Sequence, residues 1–439
     1  MKRDIYKELI DWKESKNCKP LMLYGARQVG KTYILKEFGR QEFGNMLYIN
    51  CYKNPSVEKI FAEDVNIPRI LRELSAITGE TINPASTFIF FDEVQEIPEI
   101  VASLKYFYEE TPEIYVAVAG SLLGVMEMEG ISFPVGKVDI RHMYPMVFTE
   151  FLEAVGETHK LKLLEDPSMH SSVNNLLPMF TDLLRQYYYV GGMPEAVKEY
   201  SESGNLERVR QIQLDIIEEY EADIAKHAGR DALKARKVLQ SIPAQLAKEN
   251  KKFVFGALKK GARAAEYENA IQWLIDAGII YKVCKAKKAA LPLKFYFDDN
   301  SFKLFLLDIG LLGAISNVPA NLVLIGNNIF SEYKGAFTEN YVLSQLATCR
   351  NVEISYYAKD NSSLEVDFLI QAADKLIALE VKAEENVKSK SLRQFVTIDN
   401  AGSNIKGIRV SMKGYADQGW MENVPLFAIL PFMRSISEI

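Results

Sequence analysis

Long apolar runs, paired cysteines and a surplus of positive charge are all missing from this 439-residue chain, and each absence narrows what it can be. The four cysteines, Cys18, Cys51, Cys284 and Cys349, are scattered with no CxxC pair. Neither a disulfide framework nor a zinc site is implied, and a reducing compartment fits. The four histidines show no metal-ligand spacing. No apolar run approaches the roughly 20 residues needed to span a bilayer. Met1-Lys2-Arg3-Asp4 leads into no signal-type apolar core. No membrane partner and a cytoplasmic location are therefore expected. A net charge of −6 excludes a global basic field, so any nucleic-acid contact must come from a local patch. What remains is the composition of a soluble globular protein, 48% apolar and 25% charged, with a length that predicts two to four domains.

Against that background one stretch stands out. Gly25-Ala26-Arg27-Gln28-Val29-Gly30-Lys31-Thr32 is a P-loop pattern, two glycines four residues apart and then Lys-Thr. The apolar run Leu21–Tyr24 precedes it, and a helical pattern opening at Tyr33 follows. Glycines let the backbone curl so that successive N–H groups point at phosphate oxygens, and the helix N-terminus adds partial positive charge. The expectation is ATP held by Gly25 to Tyr33, with Lys31 on the β and γ phosphates and the Thr32 hydroxyl on Mg²⁺.

Thr87-Phe88-Ile89-Phe90-Phe91-Asp92-Glu93 is an apolar run ending in two carboxylates. A strand buried on both faces reads this way, and ligands of parallel sheets lie at the strands' carboxyl ends. Asp92 is expected to hold Mg²⁺, directly or through water, and Glu93 to orient and deprotonate the attacking water. A third strand, 115–119, ends in Gly120-Ser121, where Ser121 would touch the γ phosphate or the water. Gly-Ser also simply marks a turn.

Strand patterns at 21–24, 46–51, 87–92, 115–119 and 137–141 alternate with helical ones, which predicts a P-loop α/β domain over 1–152. A helical stretch fills 153–230, broken at Gly191-Gly192. Over 231–325, helical segments at 232–248, 254–260 and 263–277 precede strands at 279–283 and 294–297, the layout of a winged helix. Lys251, Lys252, Lys259, Lys260, Lys287 and Lys288 make this region locally basic, so DNA or RNA is an expected partner. The third helix carries Glu266, Glu268 and Asp276, which suits a packing role as well as groove reading.

In 326–439 a helix at 332–345 precedes two alternating strands, 365–370 and 375–382, joined by a four-residue turn. Val366, Phe368 and Ile370 share a face, as do Ile377, Leu379 and Val381. Asp367, Glu380 and Lys382 lie opposite. Pairing the strands would gather Asp367, Glu380 and Lys382, with Glu339 reaching in from the helix. Three carboxylates for a second Mg²⁺ or Mn²⁺ and a lysine to steady developing charge are the parts of a metal-dependent phosphodiesterase. A hairpin with an ordinary charged face is the plainer reading.

Taken together these stretches resemble the prokaryotic AAA-like ATPases that carry a C-terminal domain of unknown function. The likeness rests on the P-loop, Phe91-Asp92-Glu93-Val94-Gln95, Tyr144-Pro145 with Glu150-Phe151-Leu152, Tyr189-Val190-Gly191-Gly192-Met193-Pro194, and Glu339 with Glu380-Val381-Lys382. It implies a helical lid, a winged helix and a PD-(D/E)xK nuclease-like fold. The family commonly shows Gly-Arg where Gly136-Lys137 stands here. Two readings follow: a Mg²⁺-dependent ATPase working on nucleic acid with a nuclease end, or an ATP-controlled switch or protein scaffold with an inactive nuclease fold. Oligomeric state is not legible.

Overall fold

A computed structural model describes residues 1–84, 86–120, 134–248, 251–325, 331–360, 362–383 and 388–437. The chain divides into two compact units, one of Lys2–Tyr144 with Asp276–Gly278, the other of Pro145–Ile275 and Ile279–Ile439.

The first unit is built on five parallel strands: β1 (Leu21–Tyr24), β2 (Asn45–Asn50), β3 (Thr87–Asp92), β4 (Tyr115–Ala119) and β5 (Asp139–His142), in the order β2-β3-β4-β1-β5. β1 and β3 are buried along their whole length. Alternation then divides their side chains between two cores. Ile89 and Phe91 join Met22, Ile100 and Leu104 on one side. On the other, Phe88 meets Trp12 and Phe38 at ring separations of 6.3 and 5.7 Å. This double covering is why the strands read as continuous apolar runs. Lys137, where the resemblance implied an arginine, pairs with Glu109 at 3.0 Å.

The second unit opens with helices Phe148–Ala154, Thr158–Glu165, His170–Asn175, Leu177–Val190, Pro194–Ser203 and Leu206–His227. The break at Gly191-Gly192 has a packing cause. A Cβ on Gly191 would lie 2.4 Å from Asp308 Oδ1, and one on Gly192 2.0 Å from the Met146 carbonyl. Asp308 is buried there, accepting from Gly192 N at 2.6 Å and Leu311 N at 2.9 Å.

Helices Ala232–Leu246 and Ala264–Asp276 form as expected, but the segment 254–260 contains only a single 3₁₀ turn, Phe255–Ala257. Phe253 N instead donates to Phe302 O at 2.8 Å, and the rings of Phe253 and Phe255 pack on Phe302. A short lysine-rich stretch gains more from that cluster than from nucleating a helix. The expected strand 294–297 is likewise corrected. Residues 293–296 form a 3₁₀ turn, and the strand β7 runs Phe297–Leu306, paired antiparallel with β6 (Ile280–Ala286). Asp298-Asp299-Asn300 reads locally as a turn and conceals its first half.

β6 and β7 continue the C-terminal sheet through a parallel bridge, Lys285 to Tyr356. With β8 (Val352–Ala358), β9 (Glu365–Ala372), β10 (Lys375–Lys382), β11 (Ile405–Ser411), β12 (Ala416–Asp417) and β13 (Met421–Pro425) the order is β12-β13-β11-β10-β9-β8-β6-β7. One sheet thus crosses the boundary expected near residue 325. The turn of the β9–β10 hairpin is two residues, not four, with Ala373 at φ +52°. Nor does the face opposite Phe368 and Leu379 stay charged along its length, since Leu369, Leu376 and Ala378 are buried in a cluster with Leu392 and Phe395.

Candidate functional site

In the first unit β1 ends at Tyr24 and helix Lys31–Glu42 begins seven residues on. The loop between them turns through left-handed conformations at Gln28 (φ +63°) and Gly30 (φ +97°). Gly25 is required for a different reason: a Cβ there would lie 2.1 Å from the Met143 carbonyl. The first intrahelical acceptor is the Gly30 carbonyl, from Ile34 N at 3.0 Å. The N–H groups of the first turn precede that bond and point away from the helix, the arrangement that receives an anion.

Lys31 Nζ donates to the carbonyls of Gly25 and Ala26, both at 2.8 Å. Burial brings its pKa down to about 8, against the opposing charges of Glu93 and Asp92. The lysine is therefore held over the loop by neutral acceptors, without a carboxylate bonded to it, and phosphate oxygens can take their place. Thr32 Oγ1 donates to Asp92 Oδ1 at 3.1 Å, and Tyr48 OH to Asp92 Oδ2 at 3.1 Å. Burial, with the Glu93 charge, raises the Asp92 pKa, and the two hydroxyls partly offset this. A hydroxyl and a carboxylate at one point are hard oxygen donors, so Thr32 and Asp92 fit a Mg²⁺ ion. Glu93, just past β3, sits at φ +52° and accepts from Gln95 Nε2 at 2.5 Å.

Ala26, Arg27, Val29 and Tyr33 complete the loop and first turn, Tyr33 with over half its surface exposed. Ser121 lies outside the described residues. Sequence reasoning missed Arg3, Tyr48 and Gln95. Tyr48 was discoverable, since β2 pairs with β3 in a register that sets Asn50 opposite Asp92. Arg3 carried no signal beyond its charge.

In the second unit Glu339 and Asp367 do meet, close enough that the charge of Glu339 acts on the Asp367 carboxyl. Asp367 also accepts from Val381 N at 2.8 Å. Two unforeseen lysines share the cluster. Lys251 bonds to Glu339 Oε1, and Lys303, 1% exposed, lies 3.9 Å from Glu339 Oε2 and 2.5 Å from Glu365 Oε1. Burial works against the charge of Lys303, but Glu339, Glu365 and Asp367 outweigh it and raise its pKa. Burial also disfavours a charged Glu339, yet Lys251 and Lys303 lower its pKa overall. Asp367 is pushed up to about 7 by burial and the Glu339 charge. Lys382 pairs with Glu380 at 3.1 Å. The expected convergence of Glu339, Asp367 and Glu380 on one cation is not what forms. Among the described residues no three His, Cys, Asp or Glu side chains are placed to hold a metal ion. Ammonium groups stand beside the carboxylates instead, so the residues do not fit the metal that their strand pattern predicted.

The expected basic patch is also redistributed. Lys251 is engaged with Glu339, while Lys252 and Lys287 line a cleft of about 1140 Å³ together with Lys285, Lys359 and Tyr356. Lys285 pairs there with Asp360 at 2.5 Å.

Parallel sheet, glycine-bearing loop and Thr–Asp pair give the first unit an α/β P-loop arrangement. Residues 17–152 match the family model described as an AAA domain. Residues 181–322 and 334–429 match two models described as domains of unknown function, DUF8612 and DUF4143. No curated protein matches the chain. Among solved structures it is similar to the Walker-type ATPase PABY2304 of Pyrococcus abyssi, at 16% identity and a TM-score of 0.46, covering 71% of this chain and 95% of that one. It is also similar to the Aeropyrum pernix ORC1 protein in complex with DNA, at 15% identity, TM-score 0.29 and 72% and 91% coverage. The Thermotoga maritima RuvB Holliday junction branch migration motor follows at 13% identity, TM-score 0.29 and 64% and 89% coverage. No helix among the described residues is long and apolar enough to cross a membrane.

Proposed function

We propose that the chain binds ATP with Mg²⁺ and hydrolyses it. The observation that carries this is the contact of Thr32 Oγ1 with Asp92 Oδ1 beside a lysine that donates to the carbonyls of Gly25 and Ala26. Thr32 and Asp92 would hold the ion, which would supply charge stabilisation to the transferring phosphoryl group. Backbone N–H groups of the loop and Lys31 hold the phosphates. Glu93 takes the proton of the attacking water as the water oxygen bonds to the γ phosphorus and the bond to the β–γ bridging oxygen breaks, giving ADP and phosphate. Calorimetry tests the binding step: Lys31→Ala should abolish ATP affinity, and unchanged affinity would remove the assignment. Glu93→Gln should bind ATP and fail to turn it over.

For the second unit the reading with most support is a nucleic-acid-binding module driven by nucleotide state, without metal-dependent cleavage. The cleft, where Lys252, Lys285, Lys287 and Lys359 stand with Asp298, Asp360 and Glu365, supports the first half of this reading. Lys251 and Lys303 beside Glu339 support the second. Reversing Lys252, Lys287 and Lys359 to glutamate should weaken binding to all sequences alike and flatten its salt dependence. DNA or RNA degradation by the wild type with Mn²⁺ would restore the nuclease reading.

A further inference from the structure

Arg3 is buried at 8% exposure, just before helix Ile5–Lys13. Its Nη1 donates to the Val29 carbonyl at 2.9 Å and its Nη2 to the Tyr144 carbonyl at 2.6 Å. Val29 C=O and Gly30 N–H belong to one planar trans peptide, so they point in opposite directions. Anchoring that carbonyl aims the Gly30 N–H into the phosphate cradle. The other carbonyl that Arg3 grips belongs to the last residue of the nucleotide unit, followed directly by Pro145. Met143, one residue earlier, donates to Tyr24 O at 2.7 Å, and its own carbonyl fills the space where Gly25 has no side chain.

Beyond Pro145 the chain is fixed again at once. Met146 N donates to Gly192 O at 2.6 Å, and Tyr187 OH to Met146 O at 2.6 Å. Phe148 N donates to Gln345 Oε1 at 2.9 Å. Tyr187 and Gln345 are buried, as is Asp308, which holds Gly192 N. Few free torsions remain at Tyr144-Pro145, since proline locks its own φ and restricts the residue before it.

We propose that Arg3 is a positioning residue of the nucleotide site, aiming the P-loop peptide 29–30 and carrying nucleotide binding to segment 146–152 of the second unit. The proposal rests on the reading of the P-loop as an ATP site. A guanidinium is needed because its fork bridges two carbonyls, which a lysine ammonium at that position cannot do with the same geometry.

The test is hydrogen–deuterium exchange of the full chain with and without AMP-PNP and Mg²⁺, alongside calorimetry. In the wild type, nucleotide should slow exchange of the 146–152 amides at least about threefold. Arg3→Gln should lower nucleotide affinity about tenfold, the loss of one charge-assisted hydrogen bond, and at saturating nucleotide should abolish the response at 146–152. Arg3→Lys should recover most of the affinity but not the response. Tyr187→Phe, with its fold otherwise intact, should leave affinity unchanged and halve the response or more, which keeps the proposal testable should Arg3→Gln fail to fold. A wild type that binds nucleotide with no change at 146–152 overturns the proposal while the ATP reading stands. So does a full response in Arg3→Gln or Tyr187→Phe. A wild type that binds no ATP overturns both.

Discussion

The P-loop unit and the C-terminal cluster are made of the same parts, lysine beside carboxylate, yet they compensate charge in opposite ways. At the nucleotide site Asp92 is held by two hydroxyls, Thr32 and Tyr48, and Lys31 is bonded to backbone carbonyls. Each charged group there has neutral hydrogen-bond partners, so a cation and a polyanion can enter and take the charged roles. In the cluster Glu339 and Glu365 are already met by Lys251 and Lys303, and Glu380 by Lys382. Two ammonium groups face three carboxylates in Glu339, Glu365 and Asp367, and the raised pKa of Asp367 brings the sum close to zero. A ligand has little charge left to satisfy. An inventory of residue types cannot tell the two sites apart; the neighbours of each charge can.

The sharpest way to break this comparison is to remove one lysine from each site. Lys303→Met leaves buried Glu339 with Lys251 alone and takes the ammonium from Glu365, whose side chain is about one-third exposed. Removing one member of a buried ion pair costs about 3–5 kcal/mol, so chemical denaturation should show a loss of that order. Lys31→Met gives up only bonds to carbonyls and relieves the burial of a charge. Its stability should match the wild type or exceed it, while ATP binding disappears. Equal destabilisation of both variants would mean that the two lysines play the same part.

How far these sites were legible in the sequence follows from how local they are. Gly25 to Thr32 form one loop, and Asp92-Glu93 end one apolar strand, so motif and periodicity suffice for both. β1, β3 and β4 were readable for the same reason, each being a run buried on two faces, whereas β2 and β5 are only partly buried. Lys303 was not, because nothing within ten residues of it hints at Glu339 or Glu365. The third helix of the expected 231–325 arrangement, Ala264–Asp276, shows in its own period. The segment 254–260 does not form a helix because Phe302, almost fifty residues away, offers Phe253 and Phe255 a better partner. Arg3 appears in the sequence as one charge among fifty-two Lys and Arg residues, and only the fold brings it to Val29 and Tyr144.

A smaller contrast uses one substitution at both sites. Asp367→Asn should be nearly silent in stability, within about 0.5 kcal/mol, the range of substitutions that leave such features intact. An amide is uncharged beside Glu339, as the protonated acid is, and its oxygen can still accept from Val381 N. Asp92→Asn keeps the bonds from Thr32 and Tyr48 in reach but removes the anion. Mg²⁺-dependent ATP binding should fall by about 10- to 100-fold, the range seen when groups that support a metal are altered. Calorimetry with and without Mg²⁺ reads the second effect, and urea unfolding the first. A loss of several kcal/mol in Asp367→Asn would show that this carboxylate carries its charge and that the cluster is not closed.

A further expected effect is a pH dependence whose sign differs between the two sites. Lys31 titrates at about 8 in the fold, below its ordinary value of 10.5, chiefly because burial disfavours its charge. Between those two pH values the unfolded chain binds more protons at this position than the folded one. Stability contributed by Lys31 should therefore rise from about pH 8 to about 10.5, with the burial penalty present in full below that window and gone above it. Lys303, whose pKa is raised, has the opposite sign. Its contribution is fully present below the ordinary lysine value and is lost only above it. Other groups titrate in the same range, so the measurement is a difference: unfolding free energy against pH for the wild type minus Lys31→Met. That difference should grow more favourable to the wild type as pH rises from 8 to 10.5. A flat difference would mean that Lys31 keeps its proton in the fold, held by the Glu93 and Asp92 charges, and that the two sites compensate their lysines in the same way after all.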